Sequence, residues 1–129
     1  MHKSAYKHIK RYHLESNIKI FKSLADKTRL RIVKILMETG KPICVCDLVE
    51  ILKLAQYNLS RHMKELKNAG LVSENKQGRF VFYSLRPAVE EFQHFIYKAV
   101  KGISEKYSIA DIKCLEKCRI HPAPKEPRS

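Results

Sequence analysis

The sequence predicts a mainly helical α+β domain, several helices carrying one β-hairpin, and three observations predict it. Apolar residues recur at spacings of three and four along most of the chain between residues 16 and 103. The one stretch rich in β-branched and aromatic residues, 71 to 85, is interrupted by a glycine at position 78. A chain of 129 residues supports one domain with a modest core and leaves no room for a multidomain enzyme.

The elements follow in order. Residues 1 to 13 hold Lys3, Lys7, Lys10, Arg11 and three histidines with no acid, a basic arm on which Ala5, Ile9 and Tyr12 draw a weak helical stripe. Ser16 is placed to cap a helix carrying Ile18, Phe21, Leu24 and Ala25 inward, and Asp26 to cap the next, with Leu30, Val33, Leu36 and Met37 inward. Gly40-Lys41-Pro42 ends that helix. A short helix at 45 to 52 buries Val45, Leu48, Val49 and Leu52, and three residues lead from it into a longer helix beginning at Gln56. The two make a helix-turn-helix pair, with Ala55 a weak N-cap between them.

The long helix is divided lengthwise. Leu59, Met63, Leu66 and Gly70 fall on one side, while Tyr57, Ser60, Arg61, Lys64, Lys67 and Asn68 fall on the other. Asn68-Ala69-Gly70 reads as its C-terminus, because glycine accepts the left-handed residue after the last turn. Strands at 71 to 75 and 79 to 85 then flank a turn at Lys76-Gln77-Gly78, whose tip carries Lys76 and Arg79. Pro87 suits the first position of a further helix and Glu90-Glu91 favour its positive end. Along it Val89, Phe92, Ile96, Ala99 or Val100, and Ile103 repeat, and Phe95 and Tyr97 widen the stripe beyond one core face, which implies a dimer interface. Ser108 with Asp111 resembles a capping box opening a last helix to about residue 119, which carries Cys114 and Cys118. Three prolines make the remainder a tail.

Charge decides the partner. Lys and Arg number 26 against 13 Asp and Glu, a formal net charge of +13, which attracts a polyanion. A cationic helix followed at once by a basic hairpin suits duplex DNA, the helix entering the major groove and the hairpin lying along the backbone or minor groove. An anionic membrane surface ranks second. No apolar run approaches a spanning length, and the basic N-terminus lacks a following apolar stretch, so the cytoplasm is the expected location. In that reducing compartment the four cysteines read as thiols with a task more than as structural disulfides. No glycine-rich phosphate loop, nucleophile elbow or His-Glu-x-x-His occurs, which argues against an enzyme.

Together, Phe21 to Val33, the stretch Cys44-Val45-Cys46-Asp47-Leu48, the run from Gln56 through Ser60-Arg61-His62-Met63 to Leu71-Val72, and Tyr83 resemble the ArsR/SmtB family of winged-helix metal-responsive repressors, over about residues 16 to 103. The resemblance implies a winged helix-turn-helix, dimeric through its terminal helices, that sits as a homodimer on operator DNA and leaves it when a toxic metal ion or metalloid binds. It implies that Gln56, Tyr57, Asn58, Ser60 and Arg61 face the major groove, with Lys64, Lys76 and Arg79 added by the cationic face and the hairpin. His62 matches a family histidine but lies toward the apolar side, and reads as a packed structural residue. The expected organisation is a basic arm at 1 to 15, a DNA-binding domain with dimerisation helix at 16 to 106, a cysteine-bearing helix at 107 to 120, and a tail at 121 to 129.

Cys44-Val45-Cys46 looks like the thiolate box of the arsenic- and antimony-sensing members. Their third cysteine is here Val49, so a purely local three-thiolate site is incomplete. The family's zinc site on the dimer helix would need ligand pairs where this chain offers Pro87, Val89 and a lone His94. On an ideal helix, residues two apart point ~200° apart, so Cys44 and Cys46 share one ion only if the helix start is irregular or unwinds. Cys114 and Cys118, four apart, share a face. Three or four thiolates select soft ions: arsenic(III) or antimony(III) with three, cadmium, lead or zinc with four. A dithiol redox switch and inert buried cysteines stay open beside this reading, as does a non-switching architectural nucleic-acid-binding protein.

Overall fold

The structure is a computed structural model that describes residues 3 to 103 and residue 113, with side chains from residue 13 onward. The element order is α1 (Lys3–Leu24), α2 (Lys27–Thr39), β1 (Ile43–Cys44), α3 (Val45–Leu52), α4 (Gln56–Asn68), β2 (Val72–Gln77), β3 (Phe80–Leu85) and α5 (Glu91–Lys101). The helices pack around one core and a three-stranded antiparallel sheet of order β1-β3-β2 projects as the wing.

Local chemistry explains most boundaries. Asp26 caps α2, its carboxylate accepting from the backbone N–H of Arg29 at 3.0 Å. At the end of α4, Gly70 has φ 78, Gly70 N–H donates to Lys67 O and Leu71 N–H to Leu66 O, both at 3.0 Å. That is a Schellman closure, and Leu71 and Leu66, both fully buried, supply its apolar contact. Gln93 Oε1 accepts from the N–H groups of Val89 and Glu90, which fixes the start of α5.

Four expectations are corrected. α1 runs unbroken through Ser16, which therefore caps nothing. Its buried face is Ile20 and Ser23, whereas Ile18 and Phe21 are exposed beside Leu14. The hairpin turn is Gly78-Arg79, between the paired Gln77 and Phe80, so Lys76 lies within β2 opposite Val81. Gly78 has φ 62 and Arg79 does not have a positive φ, the pattern of a two-residue turn with glycine at its first central position. α5 begins at Glu91 with Glu90 as N-cap, four residues beyond Pro87. Except for Lys113, which is helical, the last helix expected at 108 to 119 lies outside the described residues.

The core itself follows the helical pattern. Leu59, Met63 and Leu66 of α4 are fully buried against Ile32, Ile35 and Leu36 of α2 and Leu48 of α3 in one cluster. At ~1.5–3 kcal/mol per fully buried side chain, these three hold α4 in place. Lys34 is the unexpected member: 6% exposed, its Nζ reaches the carbonyls at the end of α5.

Candidate nucleic-acid interface and thiol pair

The polar side of α4 is free of the core along its length. Gln56, Tyr57, Asn58, Ser60, Arg61 and Lys64 are all exposed, Tyr57 at 73%. The helix can present them because its apolar residues fall three and four apart and turn away. The Arg61 guanidinium lies 6.0 Å from the Tyr57 ring centroid, a contact that stiffens both side chains on the surface. Ala55 gives α4 no side-chain cap.

The wing adds two cations of different character. Arg79, in the turn, lies over Phe80 with 5.5 Å from its guanidinium carbon to the ring centroid. Lys76 is 75% exposed and 3.9 Å from Glu74. Glu74 also lies 3.6 Å from Lys67 of α4 and accepts from the Tyr83 hydroxyl at 3.1 Å, so one carboxylate ties α4 to both strands of the hairpin. Burial, then the Glu74 charge and the hydrogen bond to it, push the Tyr83 hydroxyl up to about 12.

His62 marks the edge between the two sides of α4. Its Nδ1 lies 3.3 Å from Arg29 Nη1 and 3.8 Å from Asp26 Oδ2, while Arg29 Nε donates to Ser23 O at 2.5 Å. The backbone N–H of Arg29, opposed by burial and aided by the Arg29 charge, holds the Asp26 carboxyl below its ordinary range. Spacing alone did not reveal Arg29: its partner is 33 residues away, and only the N-cap at Asp26 hinted at order here.

The thiol pair departs from the expected geometry. Cys44 is the last residue of β1, extended at φ −64 and ψ 140, and is paired with Phe82. It is the N-cap of α3, and Cys46 is that helix's second residue, so the two are not on one helix and their Cα atoms are 5.3 Å apart. Their sulfurs converge and are joined as a disulfide with α3 intact, so no unwinding is needed for them to meet. Cys44 is buried and Cys46 exposed, which gives the pair one open side. Cys114 and Cys118 lie outside the described residues. Among the described residues no group of three or more His, Cys, Asp or Glu is gathered as a metal site, and no helix is long and apolar enough to cross a membrane.

The family model for bacterial regulatory proteins of the arsR family matches residues 26–74, which span both helices of the helix-turn-helix and the first three residues of β2. An arsenic resistance transcriptional regulator of Pseudomonas putida is 34% identical over 92 residues, 71% of each chain. The arsenical resistance operon repressor of Escherichia coli is 47% identical over 72 residues, 56% of this chain and 61% of that one. A cadmium resistance regulatory protein homologue of Staphylococcus aureus is 40% identical over 67 residues, 52% of this chain and 54% of its own. Among solved structures, the transcriptional regulator HlyU of Vibrio vulnificus superposes with a TM-score of 0.57 at 26% identity, covering 78% of this chain and 99% of that one. HlyU of Vibrio cholerae gives a TM-score of 0.57 at 29% identity over 67% of this chain and 90% of its own. With this match and this extent of identity, the chain belongs to the arsR family, whose members are DNA-binding transcriptional regulators and not enzymes.

Proposed function

We propose that the chain is a repressor that holds an inverted-repeat operator as a homodimer and releases it when a thiophilic metal or metalloid is bound through cysteine thiolates. Arsenite or antimonite is the favoured inducer, with cadmium, lead and zinc ions as the other candidates. The exposed row from Gln56 to Lys64 reads bases in the major groove, and Lys76 and Arg79 hold the flanking phosphates. The second copy covers the apolar surface formed by Leu14, Ile18 and Phe21 of α1 with Phe95 of α5, where Phe21 and Phe92 already meet edge to face at 5.4 Å between ring centroids. The cytoplasm remains the proposed location.

The observation that carries the reading is the place of the thiol pair. Cys44 and Cys46 converge at the N-terminus of α3, the helix that packs directly against α4. Reduced, they offer two thiolates, and Cys114 and Cys118 would supply the third and fourth; that donor set suits three-coordinate arsenic(III) as well as four-coordinate soft cations. Binding that repositions β1 and the start of α3 changes the support of α4 and lowers operator affinity. A coupling of ~1–3 kcal/mol, about 5- to 150-fold, is typical and acts equally in both directions.

The disulfide supports a second reading, oxidation of the same dithiol as the releasing event. Titrating the reduced, operator-bound protein with arsenite, antimonite, cadmium, lead, zinc and peroxide, and following DNA release by fluorescence anisotropy, separates the two. Metalloid sensing requires release by arsenite or antimonite under reducing conditions, lost in Cys44→Ser and Cys46→Ser and in the Cys114→Ser/Cys118→Ser double variant. Release by peroxide alone would establish the redox reading in its place.

A further inference from the structure

Arg29 stands where three helices meet. Its backbone N–H donates to Asp26 at the start of α2, its Nε to the carbonyl of Ser23 in the last turn of α1, and its Nη1 lies 3.3 Å from Nδ1 of His62 on α4. A guanidinium has donors and no acceptor, so in this contact Nδ1 is the acceptor. Asp26 Oδ2, 3.8 Å from Nδ1, is beyond hydrogen-bond reach and supplies only its charge. The hydrogen bond is directional and crosses from the α1–α2 junction to the flank of α4.

Apart from the more exposed Lys67–Glu74 pair at its far end, the other forces on α4 are of another kind. Leu59, Met63 and Leu66 hold it by apolar burial, which resists lifting the helix off the core but only weakly resists rolling it about its axis. A roll of about 20° carries a side-chain tip ~6 Å from the axis through about 2 Å. That displacement breaks a bidentate contact to a base edge while leaving looser phosphate contacts intact. His62 sits between exposed Arg61 and fully buried Met63, where a bond to a fixed partner opposes the roll most directly.

We infer that Asp26, Arg29 and His62 form a bracket that sets the rotation of α4 and so aims Arg61 and Gln56. Arg29 and His62 are positioning residues for sequence readout: they touch no base, and discrimination depends on them. This rests on α4 being the helix that reads the major groove.

The test uses full-length reduced protein, a duplex selected from a random library by the parent protein, and the same duplex scrambled. His62→Leu is expected to lower the ratio of selected to scrambled affinity about 5- to 150-fold, the worth of one bidentate base contact, with scrambled binding unchanged. His62→Asn restores most of the ratio, because its Oδ1 can accept in place of Nδ1. Arg29→Lys keeps the charge but cannot serve Ser23 and His62 together; it lowers the ratio, and adding His62→Leu to it lowers the ratio no further. The bracket is overturned if His62→Leu keeps the parent ratio, if Asn is as poor as Leu, or if the losses add. Arg61→Ala separates this from failure of the underlying reading: a drop in ratio for Arg61→Ala alone overturns only the bracket. No drop for either residue removes α4 as the reader, and the bracket with it.

Discussion

Replacing Lys34 by Met removes one ammonium from the place where α2 meets the end of α5. Lys34 Nζ donates to Lys101 O at 2.6 Å, to Ile103 O at 3.2 Å and to Val100 O at 3.4 Å, with Glu38 Oε1 at 3.7 Å. α5 closes with backbone bonds of its own, Gly102 N–H to Lys98 O and Ala99 O and Ile103 N–H to Val100 O, and α2 adds a side-chain cap over the carbonyls of Lys101 and Ile103. The shortest bond is charge-assisted and worth ~1.5–3 kcal/mol, and the longer two add less. The burial cost of the ammonium, which Met does not incur, offsets part of this, and the pair with exposed Glu38 adds little. The net loss expected for Lys34→Met is ~1–3 kcal/mol, concentrated at the end of α5. Urea unfolding should show a lower midpoint at unchanged slope. Hydrogen exchange should show α5 amides about 5- to 150-fold faster, with α4 amides following only the global change. An equal or higher midpoint would refute the reasoning, because burying the charge would then cost more than its bonds return.

Tyr83, with its hydroxyl pushed up to about 12, should be among the last tyrosines to ionise in an ultraviolet titration, and Tyr83→Phe should remove that step. Because the folded value is raised, its contribution to stability is full below pH ~10 and is lost as pH climbs toward 12. Asp26→Ala should cost ~0.5–2 kcal/mol near neutral pH. Since the folded carboxyl titrates below its ordinary value, that difference is present above pH ~4 and shrinks as pH falls through the lowered value, so acid unfolding curves of parent and variant converge. Lys53, left-handed at φ 53 and ψ 46 where α3 ends, should be stabilised by replacement with glycine, by about 1 kcal/mol in thermal or urea unfolding. Lys76→Ala and Arg79→Ala should weaken binding to selected and scrambled duplexes alike and flatten the salt dependence, whereas Arg61→Ala should cut discrimination by ~1–3 kcal/mol in anisotropy titrations.

The recognition helix was the most legible part of the chain, because everything that defines it is local. Leu59, Met63 and Leu66 are fully buried as their spacing required, and Gly70 closes the helix where the sequence placed the stop. Short α3 matched its expected bounds for the same reason. α1 misled because apolar residues lie on more than one of its faces, and periodicity does not say which face the same chain covers. Ile20 and Ser23 went to the core and left Ile18 and Phe21 outside. The bracket at Arg29 was invisible, since Asp26 and His62 are brought together by the packing of α2 on α4 and not by any interval in the sequence.

The thiol pair shows how a two-residue strand can reverse a geometric argument. Read as positions two apart on one helix, Cys44 and Cys46 diverge, and any shared ligand would require an irregular or opened helix start. Ile43 and Cys44 instead pair with Tyr83 and Phe82, an arrangement that exists only because β3 has an edge to offer and that two residues cannot announce by alternation. The pairing holds Cys44 in an extended conformation just before α3, so its side chain leaves the chain in a direction no helical residue could take and meets Cys46 with the helix complete. The strand that brings the sulfurs together belongs to the wing's sheet, and the helix that follows packs on α4. Whatever separates or bridges Cys44 and Cys46 therefore acts at the junction of the two elements that would grip DNA, through β1 on one side and α3 on the other.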